Sequence, residues 1–125
     1  MTSHQEPAVS RAAVRRFKDP GYVPLAPTLG ELRGRIDALD EQIVQLLAQR
    51  ALCVRDATRF KRDAFQVAAP ARQAQVFERV RSLAERHAMD FPGFTGVVDA
   101  TYRAMVAGFI AGEAQLFQQT ELIDP

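Results

Sequence analysis

A chain of 125 residues with 47% hydrophobic and 25% charged side chains has the balance of one globular domain. Its formal net charge of +1 supplies no general field for gripping nucleic acid or an anionic membrane. The one cysteine, Cys53, excludes an internal disulfide and points to a reducing, cytoplasmic setting.

The first 28 residues differ in character from the rest. They carry Pro7, Pro20, Pro24 and Pro27, a basic cluster of Arg11, Arg15, Arg16 and Lys18, and no continuous apolar run. Neither a secretory signal nor a membrane span is expected there. The segment reads as a flexible or loosely docked extension rather than a nucleic-acid arm. The folded domain is expected over 29–119, with 120–125 as a tail.

From Leu32 to Lys61 the chain has no proline, and Leu32, Ile36, Leu39, Ile43, Leu46, Leu47, Val54 and Phe60 recur mostly at three, four or seven. This is the period of one long amphipathic helix. Thr28 followed by Glu31 predicts a capping box at its start. A helix of roughly 50 Å overreaches a domain of this size, so its apolar stripe calls for partner helices, most simply from a second copy. Cys53, among Ala51, Leu52 and Val54, is expected to be a buried small hydrophobe.

The cations on this helix carry the functional argument. Arg50 and Lys61 stand 11 residues apart, which on a helix places them within about 20° of each other and about 16 Å apart along the axis. Two such side chains leaning inward reach the two ends of one small dianion. Arg33 lies about 42 Å from Lys61 on the same helix, so a functional Arg33 serves a partner's site.

After Lys61 the periodicity lapses. Pro70 predicts a helix start, and a second helix is expected to His87, with Val76, Phe77, Val80, Leu83 and Ala84 on one face. Arg72 in its first turn opposes the helix dipole, an arrangement that an anion bound nearby would relieve. His87 suits the C-terminal end of the dipole, and with His4 it makes no spaced ligand set for a metal. The segment from Met89 to Phe94 breaks the pattern. Pro92 then opens a third helix to about Gln119, whose Gly108 and Gly112 invite close approach by another helix or leave room for a ligand. Glu113 falls beside the apolar stripe of Val106 and Phe109, and so projects toward the interior rather than into open solvent.

The pattern Leu32-Arg33, Ile36-Asp37, Leu39-Asp40, Leu46-Leu47, Arg50, Lys61 and Arg72 resembles the all-helical chorismate mutase family, which includes isochorismate pyruvate lyases, over about Leu29 to Gln118. The resemblance implies an all-α fold of one long and two shorter helices in an intertwined homodimer, with Arg33 crossing into the neighbouring subunit. It further implies a cofactor-free, metal-free pericyclic reaction converting chorismate to prephenate for aromatic amino-acid synthesis. Arg50 and Arg33 would bind the substrate carboxylates, Lys61 the ether oxygen and a carboxylate, Glu113 the ether oxygen from the other side, and Arg72 a carboxylate. In its protonated form a glutamate donates a hydrogen bond as glutamine would. Ala69 and Gln73 stand where typical mutases carry acids that meet the ring hydroxyl, with Gln73 a substrate contact. Those two positions, with Arg59-Phe60-Lys61 and Pro70-Ala71-Arg72, look more like the lyases that make salicylate and pyruvate from isochorismate. The expectation is therefore a chorismate mutase, with the lyase as the alternative and a non-catalytic helical interaction module as a second one.

Overall fold

The computed structural model of the chain describes residues 5–87 and 91–123; His4 and the 88–90 part of the expected break lie outside them. It is all-helical. The elements are α1 (Leu29–Ala57), a 3-10 turn (Thr58–Phe60), α2 (Ala64–Ala68), α3 (Pro70–His87) and α4 (Phe94–Phe117). Among the described residues there is no strand, only an isolated bridge between Ala12 and Thr28. The chain divides into two compact units, Met1–Ala48 and Gln49–Pro125, with the boundary inside α1.

In the first unit the start of α1 is fixed by Thr28. Its hydroxyl accepts from the Glu31 N–H at 3.2 Å and donates to the Glu31 carboxylate at 3.0 Å. The expected capping pair is present, although the carboxylate binds the hydroxyl instead of a backbone N–H. The N-terminal extension docks here. The Gly30 N–H donates to the Val9 carbonyl at 2.9 Å, and a Cβ at Gly30 would lie only 3.1 Å from that same oxygen. A side chain at this position would push the extension off the helix. Along α1 no residue is buried, and Ile36, Leu39, Ile43 and Leu46 are each more than half exposed. The amphipathic stripe exists, but none of the described residues buries it.

The second unit builds a small core from Val67, Val80, Ala84 and Val106, with Val76, Phe77 and Leu83 half-buried around it. Helix α4 packs on α3, α2 and the 3-10 turn. Arg103 of α4 ties its helix to α3, its guanidinium 4.5 Å from the Phe77 ring centroid while it pairs with Asp99 at 3.0 Å.

Several local expectations need correcting. The first helix stops at Ala57, four residues short of Lys61, because the chain tightens into a 3-10 turn and Lys61 is extended (φ −100°, ψ 132°). The segment after Lys61 is not structureless. Asp63 caps α2 by accepting from the Gln66 N–H at 2.9 Å, and Ala69 closes α2 in the left-handed region at φ 45°. The last helix begins at Phe94, not Pro92, because Gly93 takes φ 75° at its N-cap. Gly108 and Gly112 face open space among the described residues of one chain, where a Cβ at either would meet no heavy atom within 4 Å.

Candidate functional site

The second unit forms an open cavity of about 310 Å³ lined by Arg50, Cys53, Lys61, Ala69, Arg72, Gln73, Phe109 and Glu113 among others. This falls at the small end of ligand pockets, which run from roughly 300 to 1,000 Å³. Five of the six expected site residues, Arg50, Lys61, Arg72, Gln73 and Glu113, come together on its wall. Arg33 belongs to the other unit and is exposed.

Each side chain arrives by a different local route. Arg50 comes from the last turns of α1 and lies over the Phe109 ring, with its guanidinium carbon 5.3 Å from the centroid. The face of the ring presents negative charge to the cation and holds it at the cavity edge without neutralising it. Lys61 does not share a helical face with Arg50, as the spacing suggested; the 3-10 turn delivers it to the same cavity in extended backbone. Arg72 and Gln73 ride on the first turn of α3, which Pro70 opens. The Arg72 guanidinium binds the Gln75 amide oxygen at 2.7 Å, and the Gln73 amide nitrogen donates to the Ala68 carbonyl at 2.6 Å.

Glu113 is 5% exposed, so the expected inward projection is observed. Its Oε2 receives the Lys61 ammonium at 3.1 Å and contacts the Thr58 hydroxyl at 3.3 Å. Lys61 also donates to the Gln66 carbonyl at 3.2 Å. An ammonium has three N–H donors, so one remains for the cavity. Among the described residues Glu113 Oε1 has no hydrogen-bond partner, yet no buried side-chain polar atom there is unsatisfied. That oxygen is therefore not sealed off, and Glu113 lines this cavity.

The charge balance follows. Three cations and one carboxylate line the cavity, and the carboxylate is committed to Lys61. Among the described residues Arg50 and Arg72 have no ion-pair partner. Two uncompensated guanidinium groups in an otherwise largely apolar pocket select for an anion, and a doubly charged one matches them best.

Residue-level reading missed three participants. Cys53 is exposed and lines the cavity instead of being buried, because the turn of α1 that bears it faces open space rather than a core. Phe109, a member of the apolar stripe, also supports Arg50. Thr58 is 3% exposed, and a hydroxyl at the close of a helix, four residues after Val54, was the available signal.

Helical fold and uncompensated guanidinium groups together make a pocket that suits a small organic anion. The chain belongs to the chorismate mutase type II family, which its residues 32–114 match. It is 30% identical over 92 residues to the isochorismate pyruvate lyase of Pseudomonas aeruginosa, covering 74% of this chain and 87% of that protein. It is also 30% identical over 63 residues to the chorismate mutase of Methanocaldococcus jannaschii, covering 50% of this chain and 64% of that protein.

Proposed function

We propose that the protein is a chorismate mutase acting through residues 29–119, with 1–28 an appended extension and 120–125 a tail. What supports this most is the pair of unpaired arginines, Arg50 and Arg72, on the cavity that also holds the Lys61–Glu113 pair. The rearrangement breaks the C–O ether bond and forms a C–C bond within one molecule, so no proton, water or electron enters. Residues accelerate it by holding the dianion folded and by placing donors where charge accumulates on the ether oxygen. Arg50 and Arg72 bind carboxylates. Lys61 offers its third N–H to the ether oxygen, and Glu113 orients Lys61 and, when protonated, donates from Oε1. Gln73 meets the ring side of the substrate.

The site is completed by a second copy in this proposal. The uncovered stripe of Ile36, Leu39, Ile43 and Leu46 is the surface on which a homodimer forms, and Arg33 of the partner subunit supplies the remaining carboxylate contact. No helix among the described residues is long and apolar enough to cross a membrane. With its free thiol, the enzyme is proposed to work in the cytoplasm on the route to aromatic amino acids.

A second reading is an isochorismate pyruvate lyase. It is favoured by the cavity wall at Ala69 and Gln73, which carries no carboxylate for a ring hydroxyl, and by the long match to the Pseudomonas aeruginosa protein. A paired assay of the purified protein decides. Prephenate from chorismate with little salicylate from isochorismate is the expected result; dominant salicylate establishes the lyase, and neither product returns the chain to a helical interaction module.

A further inference from the structure

The Lys61–Glu113 pair joins residues 52 positions apart in sequence, and one residue touches both members. Thr58 presents its hydroxyl to Glu113 Oε2 at 3.3 Å, while its carbonyl accepts the Lys61 N–H at 3.1 Å. The same hydroxyl lies 3.1 Å from the Val54 carbonyl. Thr58 is 3% exposed and does not itself line the cavity that Arg50, Lys61 and Glu113 share.

We propose that Thr58 is a positioning residue for this site, clamping Glu113 Oε2 onto Lys61 so that Glu113 Oε1 and the third Lys61 N–H both face the ligand. A hydroxyl has one proton and can also accept. Toward an ionised Glu113 it donates. Toward Glu113 protonated on Oε1 it still donates, because Oε2 is then the carbonyl oxygen and remains an acceptor. The side chain thus keeps the carboxyl in one orientation in either protonation state, which a methyl group at the same place cannot do. Its carbonyl sets the backbone from which Lys61 springs, so ammonium and carboxyl are referenced to one residue.

The catalytic consequence rests on the proposed chorismate chemistry, whereas the positional one does not. Thr58→Val, close in shape and lacking the hydroxyl, is expected to lower kcat about 10-fold with KM changed less than about 3-fold, since a misaimed donor is felt mainly in the transition state. Thr58→Ser is expected to restore kcat to within about 3-fold. In a Glu113→Ala background Thr58→Val is expected to cost almost nothing more, because the group it positions is gone. A general loss of stability would instead add to the Glu113→Ala effect, and urea midpoints of all variants identify any that fail to fold. A crystal structure of Thr58→Val supplies a readout independent of turnover. Glu113 swung more than 4 Å from Lys61 Nζ supports the clamp, and an unmoved pair overturns it. A folded Thr58→Val enzyme with wild-type kcat also overturns it. If the wild-type protein turns over neither chorismate nor isochorismate, the proposed function fails while the crystal comparison still decides the role of Thr58.

Discussion

Lys61 Nζ lies 3.1 Å from Glu113 Oε2, with the lysine side chain 21% exposed and the glutamate 5%. Such a pair is asymmetric in its energetics. Removing one partner strands the other charge, whereas replacing both by neutral groups is nearly tolerated. Lys61→Met is therefore expected to lower stability by about 3 kcal/mol, the low end for a broken buried pair because the ammonium is partly solvated. Turnover should fall by about 10²–10³, the usual effect of losing one donor to developing negative charge. Adding Glu113→Gln should recover most of the stability and none of the turnover. Urea unfolding beside steady-state kinetics separates the two effects, and activity rising with stability in the double variant would remove Lys61 from the chemistry.

Arg50 rests on the Phe109 ring at 5.3 Å and has no carboxylate partner among the described residues. Phe109→Leu keeps an apolar contact and removes the ring face. A cation–π contact at a partly exposed site contributes about 0.5–1 kcal/mol, so KM for the dianion should rise about 2- to 5-fold with kcat nearly unchanged. Arg50→Lys should do more harm, because an ammonium neither stacks nor binds a carboxylate through two parallel N–H groups. Equal effects from the two substitutions would mean that the ring does not orient Arg50.

The helices were legible because their cause is local. Apolar spacing, the Thr28 and Glu31 pair and Pro70 each leave a mark in sequence, and α1 and α3 begin within three residues of where those marks put them. Arg50, Arg72 and Glu113 were legible as charges at conspicuous places on helices. The geometry around Lys61 was not, since no glycine or proline announces the 3-10 turn that takes it off the helix. Thr58 and Cys53 were hidden for a related reason. Whether a small side chain near a helix end faces a core, a cavity or a carboxylate 55 residues away depends on packing between distant segments.

Ala69 shows the same limit and gives a prediction of its own. It closes α2 at φ 45°, ψ 62°, directly before Pro70, and is the one described non-glycine residue with positive φ. An L-residue in this region pays roughly 1 kcal/mol that glycine does not, offset in part by the greater freedom of glycine in the unfolded chain. Ala69→Gly should therefore raise stability by up to about 1 kcal/mol, and Ala69→Val, branched at Cβ, should lower it by about 1–2 kcal/mol. Urea midpoints at constant slope test both. A valine variant as stable as wild type would mean that the turn relaxes readily out of the left-handed region.

The exposed stripe on α1 and the position of Arg33 lead to the last prediction. Arg33→Ala and Lys61→Ala proteins should each be nearly inactive if every site draws Lys61 from one chain and Arg33 from its partner. Mixed after unfolding and refolding together, they form heterodimers in which one of the two sites has both residues intact. Random exchange of equal amounts makes about half the dimers mixed, so activity should return to about a quarter of wild type. Mass spectrometry of the native dimers verifies the exchange. Heterodimers without activity would place Arg33 outside the site, and a monomer at assay concentration would leave Ile36, Leu39, Ile43 and Leu46 to be covered by something other than a second copy.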